Sequence, residues 1–362
     1  MITNTRTDTL NDALERLADY AFVDGGGFAC HGPMGAEALS ALGYDDAVPG
    51  WVEAYKATHP AIDAPPASRP IDPADEASWR SALGDFARVG DWATLFDREL
   101  RERPWQDVFG LWAARLLPGY GGGMTHGLLR VAHGVRSVGG DRTPTELQRE
   151  ELGKGLAAWA GWFTTLPGQP QPSGSRALDE AIAAVPRPAE SWTPLEAGTF
   201  SRIGELPDFS RAVDALRPPG EQLDAALGDL TATFCRLLVT RPDVIPIGLV
   251  HAVTPVAASA SLRPLLADVA PDALYAQLWQ VNAGIVAGFV PATGGPAAGT
   301  TSAAPIEERE PPSPGELSAR AVEHRDAHVV KFTEACLREH ANRPDPAYLL
   351  AAQTLLERTP PM

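Results

Sequence analysis

The sequence predicts an all-α fold, a single large multi-helix domain over residues 1–362 in which a C-terminal helix pair packs back after a flexible linker. Three observations predict it. Apolar residues recur every three or four positions along most of the chain, the period of one helical face. No stretch alternates apolar and polar residues convincingly enough for a strand. Proline and glycine punctuate the periodic stretches where helices start and stop. A hydrophobic core stops growing at roughly 250 to 300 residues, so a chain of this length allows one large domain or two smaller ones. The absence of an internal repeat and the continuous helical pattern favour one.

Leu10, Leu14, Leu17 and Phe22 lie on one face of an opening helix that ends at Gly25-Gly26-Gly27. Pro33 sits where a first-turn proline belongs, starting a helix through Glu37 and Leu42 that stops at Gly43. Residues 61–73, rich in Pro and Ala, read as a loop. Three amphipathic helices follow between Asp75 and Leu117, carrying Trp79, Leu83 and Phe86, then Trp92, Phe96 and Leu100, then Trp105, Phe109, Trp112 and Leu116. After Gly121-Gly122-Gly123 a helix runs from about Met124 to Val138. Thr143-Pro144-Thr145-Glu146 opens the next, with an N-cap and a capping-box glutamate. Helices continue at about 221–240, 245–266 and 271–289, whereas 168–215 is too rich in Pro and Ser to assign. Residues 291–316, with Gly294-Gly295-Pro296 and Pro311-Pro312-Ser313-Pro314, form the linker or a mobile loop. Pro314 to His340 is strongly helical, and Asp345-Pro346 opens a final helix through Leu356.

Composition narrows the function. A net charge of −16 with no compensating basic stripe repels phosphate backbones, so nucleic acid is not an expected partner. Cys30, Cys235 and Cys336 are far apart and in no CxxC spacing, which argues against disulfides and a thiolate zinc site and suits a reducing cytoplasm. The segment Met1-Ile2-Thr3-Asn4-Thr5-Arg6 is not a basic stretch leading into an apolar run, so a secretory signal is not expected. Val244 to Leu262 has no Asp, Glu, Lys or Arg, but Pro246, His251, Thr254 and Pro255 interrupt it and much of its bulk is Ala. It reads as a buried core helix rather than a membrane span.

The His inside that apolar helix is one of five in unexpected places. His31 lies among Phe28, Ala29, Cys30, Pro33 and Met34; His126 and His133 share one helix; His251 follows Leu249-Val250; His328 precedes Val329-Val330. Any one alone reads as a core histidine bonded to a backbone carbonyl. Five together point to a metal, because burying imidazoles costs desolvation that one cation offsets at several nitrogens at once. His126 and His133 are seven apart, two turns, and so lie about 10 Å apart on one face. The spacing makes one of them a ligand and the other an outer or a substrate contact. Gly127, Ala132 and Gly134 beside them would let another helix or a flat ligand approach. Arg130 and Arg136 either pair with nearby carboxylates or are solvated. Lys331 shares a helical face with His328; next to a metal it would be neutral or carboxylated to an oxygen ligand, and otherwise it snorkels to solvent. His59, His324 and His340 read as surface residues. The glycine triplets follow no strand and are not nucleotide fingerprints, and neither a Gly-x-Ser-x-Gly elbow nor a His-Glu-x-x-His motif occurs. The nine tryptophans sit mostly at helical spacing and read as core.

Together these segments resemble the questin oxidase-like family. The matching pieces are His31-Gly32-Pro33-Met34-Gly35-Ala36-Glu37-Ala38-Leu39 with Leu42-Gly43, then Trp51-Val52-Glu53-Ala54-Tyr55, Glu99-Leu100 and Pro104-Trp105. Beyond them come His126-Gly127-Leu128-Leu129-Arg130 with His133 and Arg136, His251-Ala252-Val253-Thr254, and His328-Val329-Val330-Lys331-Phe332. They keep one order from near residue 20 to near residue 355. One departure is Cys30, where that family is expected to carry Asn. The resemblance implies an oxygenase that opens an anthraquinone ring of an aromatic polyketide, with molecular oxygen as co-substrate and NADPH as reductant.

The expected function is thus a metal-dependent oxygenase. Zinc has no redox chemistry, so oxidation selects non-haem iron, with copper second. The expected ligand set is drawn from His31, His126, His133, His251, His328 and Lys331, and at least one of these must be an outer contact to leave a position open for oxygen. His126, His133 and Arg130 are the candidate catalytic residues. The rivals are a zinc-dependent hydrolase and a non-catalytic helical protein that binds a flat aromatic ligand; metal analysis and oxygen consumption separate the three.

Overall fold

A computed structural model describes residues 5–140, 143–292 and 306–362, and among them α-helices account for the architecture, with no strand or sheet. The all-α expectation is met. The chain divides into two compact units, Met1–Thr164 with Pro264–Asp268, and Thr165–Arg263 with Val269–Met362.

In the first unit α1 (Thr5–Arg16) is followed by α2 (Gly32–Ala41) and α3 (Val48–Thr58). The opening helix stops at Arg16 instead of reaching Phe22. The glycine triplet is the reason: Gly27 has φ +76, and Gly25-Gly26-Gly27 closes a tight turn whose arms meet at an antiparallel bridge between Val23 and Ala29. Asp24 holds the turn, its carboxylate accepting from the Gly26 N–H at 3.0 Å. Pro33 then starts α2 as expected, with Gly43 at φ +87 just past its end. Gly35 lets α2 lie directly on α3, since a Cβ there would meet the Trp51 ring at 2.2 Å.

Next come α4 (Glu76–Arg80), α5 (Val89–Glu102) and α6 (Trp105–Leu116); the second and third expected amphipathic helices form, but the first stops at Arg80, leaving Leu83 in a turn and Phe86 in a separate 3-10 turn. Their aromatic faces converge. Trp112 meets Trp79, Trp92 and Phe96 edge to face, at centroid separations of 5.9, 5.4 and 5.2 Å. Each such pair contributes about 0.5–1.5 kcal/mol beyond area burial. Seven of the nine tryptophans are buried, as their spacing implied, while Trp105 and Trp162 are half-buried. Helices α7 (His126–Val138) and α8 (Glu146–Gly161) pack along each other. Small residues allow it: a Cβ on Gly127 would lie 2.4 Å from the Trp159 Cα, and one on Gly155 3.0 Å from the Val131 nitrogen. The space beside Gly127 and Gly134 is therefore filled by α8, the helix alternative of the two envisaged. The capping box of α8 is formed by Thr145 with Gln148, not Thr143 with Glu146. A glutamine three residues after the second threonine closes the box equally well, at 3.2 Å and 2.9 Å.

In the second unit the Pro- and Ser-rich stretch holds three short helices, α9 (Leu178–Ala184), α10 (Pro194–Thr199) and α11 (Phe209–Asp214). The core follows with α12 (Leu223–Thr240), α13 (Pro246–Leu262) and α14 (Pro271–Phe289). Helix α13 is the charge-free stretch, buried almost throughout. No helix among the described residues is long and apolar enough to cross a membrane. Pro255 inside α13 lacks the N–H that would bond to the carbonyl of His251, one turn earlier. Of the expected linker, 293–305 lies outside the described residues.

The helix expected from Pro314 to His340 is two, α15 (Pro314–His324) and α16 (Ala327–Asn342). Arg325 turns left-handed at φ +66, and the Asp326 carboxylate accepts from the N–H groups of His328 and Val329 at 2.9 and 3.0 Å, capping a new start. The last helix, α17 (Pro346–Arg358), packs on α12 and α16, while α16 also packs on α13, so the C-terminal helices do return to a core.

Candidate metal centre

Within the first unit, His31 caps α2 and His126 opens α7. The His31 N–H donates to the Tyr55 hydroxyl at 2.9 Å, and that hydroxyl lies 3.9 Å from the Cys30 Sγ. Burial pushes both the Tyr55 phenol and the Cys30 thiol up. The two imidazoles stack at 17°, centroids 4.8 Å apart, and their Nε2 atoms face each other at 2.7 Å.

The tautomer of His126 follows from its other nitrogen. Nδ1 lies 2.7 Å from the Gly123 carbonyl, which can only accept, so Nδ1 carries the proton. A neutral ring then has a lone pair on Nε2, the atom aimed at His31. The backbone beneath is unusual: Gly123, Met124 and Thr125 all have positive φ, at 56°, 51° and 68°. Thr125 occupies the N-cap of α7 without making a side-chain cap.

Two turns on, His133 is held by a carboxylate. Its Nδ1 lies 2.7 Å from Oε2 of Glu37, which also accepts from Arg136, while Oε1 accepts from Arg6 at 2.8 Å. Burial alone would push the Glu37 carboxyl up, but Arg136 and His133 outweigh it and hold the group well below the usual carboxylate range. Arg130, expected as a catalytic group, is engaged on α8 instead. Its Nε and Nη2 donate to the two oxygens of Glu151 at 2.6 and 2.8 Å, and Nη1 donates to the Ala21 carbonyl. Of the two alternatives for Arg130 and Arg136, pairing with carboxylates is the one realised. Glu37 and Glu151 are the functional carboxylates that the sequence reading did not single out. The available signal was an acidic residue inside an otherwise small and apolar run, Gly32-Pro33-Met34-Gly35-Ala36-Glu37-Ala38-Leu39.

Within the second unit His251 and His328 meet edge to face, at 77° and a centroid separation of 5.7 Å, as α13 packs on α16. Lys331 is 5% exposed, so it does not snorkel to solvent. His59, His324 and His340 are all half-buried. His59 stacks on Tyr55 at 4.4 Å, and the Nε2 of His324 lies 2.8 Å from the Thr359 carbonyl.

Metal–nitrogen bonds of about 2.0–2.1 Å hold two cis ring nitrogens about 3 Å apart, so the 2.7 Å between His31 and His126 is within a few tenths of an ångström of a chelating pair. Neutral imidazoles suit iron, copper, nickel and zinc alike. Fold and site together define an all-α protein with a histidine pair suited to a transition metal. No family model matches the chain, and no match is found among curated proteins.

Proposed function

We propose that the chain is a metal-dependent oxygenase, using non-haem iron and molecular oxygen, with NADPH as reductant, to open or insert oxygen into a ring of an anthraquinone-like aromatic polyketide. The observation that supports the metal is the meeting of two imidazole nitrogens from separate helices, His31 Nε2 and His126 Nε2, at 2.7 Å; without an ion the His31 Nε2–H donates to the His126 lone pair, and an ion would take the place of that proton. The substrate class rests on the resemblance to the questin oxidase-like family, a set of short segments in one order over nearly the whole chain. Iron held there would supply the redox chemistry that zinc cannot.

The chain's own residues do the positioning. Gly123 orients the His126 ring through its carbonyl, and Tyr55 fixes the backbone of His31. Glu37 holds His133 and Arg136 in one ion network beside α7. Arg130, tied to Glu151, fastens α7 to α8. His251, His328 and Lys331, the other expected ligands, lie in the second unit.

The test is to purify the protein without oxygen, quantify bound metals, and incubate the iron-loaded form with a panel of hydroxylated anthraquinones under labelled oxygen. Label in a ring-opened or lactone product, absent with His126→Ala, supports the proposal. Hydrolysis without oxygen uptake by a zinc-loaded form would overturn it in favour of a hydrolase. Tight anthraquinone binding with no metal and no turnover would leave a binding protein.

A further inference from the structure

The chain spends backbone energy at one place next to the His31–His126 pair. Gly123 (φ 56°, ψ 30°), Met124 (φ 51°, ψ 48°) and Thr125 (φ 68°, ψ 0°) are three consecutive left-handed residues. Left-handed residues ordinarily occur singly, and outside glycine each is disfavoured; for the β-branched Thr125 the conformation is a genuine outlier. Nothing in helix initiation asks for it. An N-cap normally sits in the extended region with its side chain on an N–H of the first turn, yet Thr125 is left-handed and makes no such bond.

The turn is nevertheless held in place from outside. A Cβ on Gly123 would lie 2.7 Å from the Trp162 ring, and one on Gly122 would lie 1.5 Å from the Trp162 carbonyl oxygen, so the backbone is pressed against the chain leaving α8. The Thr125 N–H reaches back to the Gly121 carbonyl at 3.2 Å. What the strained path achieves is local: it folds the Gly123 carbonyl back beneath the first residue of α7, where it meets the His126 Nδ1 at 2.7 Å. In a right-handed lead-in the carbonyls at this point run along the helix axis, away from a ring at the first position.

We infer that the left-handed turn Gly123–Thr125 is a positioning device for His126: it aims the Gly123 carbonyl at Nδ1 and thereby presents the Nε2 lone pair toward His31. The cost is borne because strain of this kind is kept where it pre-organises a site. Met124 is the residue to probe, because it is half-buried, its side chain has no part in the His126 contact, and its conformation is the one glycine would adopt freely. The value of the device to iron binding rests on the metal reading above; the tautomer itself does not.

Two readouts separate these. In 15N-labelled metal-free protein, above the ordinary titration range of histidine, wild-type His126 should give one neutral tautomer with its proton on Nδ1. Met124→Gly, which loosens the turn, should mix the two tautomers. Met124→Asn, whose side chain tolerates the left-handed region, should restore the single one. Iron(II) affinity measured without oxygen should weaken about tenfold or more in Met124→Gly and recover in Met124→Asn, the size of effect typical for loss of a group that orients a ligand. The melting temperature of metal-free Met124→Gly should hold or rise by about 2 °C, because glycine relieves the left-handed penalty. A Met124→Gly protein with the wild-type tautomer overturns the inference, whatever its stability. If wild type binds no iron while the tautomer still mixes in Met124→Gly, the positioning role stands and the metal reading falls.

Discussion

Replacing Glu37 by glutamine keeps the shape of the side chain and removes the one negative charge shared by Arg6, His133 and Arg136. Breaking a fully buried ion pair costs about 3–5 kcal/mol, and a surface pair about 0–1 kcal/mol. The structure sets this case between them. The carboxylate is 3% exposed, but the Arg136 and Arg6 side chains are 21% and 44% exposed, so water takes over part of their solvation once the carboxylate is gone. The expected loss is about 2 kcal/mol near neutral pH. Its pH dependence has a definite sign. The folded-state pKa of Glu37 is depressed below its unfolded value, so its contribution is fully present above the unfolded pKa and is lost as pH falls toward the folded one. The advantage of wild type over Glu37→Gln should therefore shrink below about pH 4.3, by up to about 1.4 kcal/mol per pH unit. Urea unfolding of both proteins at about pH 7, 5 and 3 measures it. Equal stability near pH 7, or a deficit that does not narrow in acid, would refute the assignment of Glu37 as an ionised anchor.

Arg130→Met should cost more than Glu37→Gln, about 3–5 kcal/mol, because Arg130 and Glu151 are both nearly sealed from water, at 2% and 8%; unfolding midpoints of the two variants side by side decide the order. Gly122→Ala should cost about 3 kcal/mol or more, its new methyl meeting a backbone oxygen that cannot swing aside, whereas Gly50→Ala in α3, with nothing within 4 Å, should gain up to about 1 kcal/mol; thermal melts compare them. His31→Ala should lose bound iron with helical content intact, read by metal analysis and circular dichroism, and a variant that retains full metal would remove His31 from the ligand set.

The helices whose cores are set by local period were legible: the tryptophan-bearing α5 and α6 and the long helices α12 to α14 stand where apolar spacing put them. Boundaries set by backbone chemistry were less so. Gly25-Gly26-Gly27 looks the same as a helix stop or as a tight turn, and only the pairing of Val23 with Ala29 chooses the turn. Asp326 could not announce that it would cap a helix, because the left-handed Arg325 before it leaves no compositional mark. At the site, clustering of histidines in apolar contexts identified the residues, and their pairing into His31 with His126 and His251 with His328 needed coordinates. Glu37 escaped notice for a physical reason. Its role comes from two guanidiniums and an imidazole brought from α1 and α7, at separations of 31, 96 and 99 residues, which no local pattern records.

The glycine seam between α7 and α8 ties sequence drift at one face to ligand geometry at another. His126 is covalently next to Gly127, whose Cα faces the Trp159 backbone with no room for a methyl. A larger residue there must force the helices apart by about an ångström or more, and the same displacement acts on a ring whose Nε2 has 2.7 Å to its neighbour. Substitutions at Gly127, Gly134 and Gly155 are thus coupled to the histidine pair without touching it.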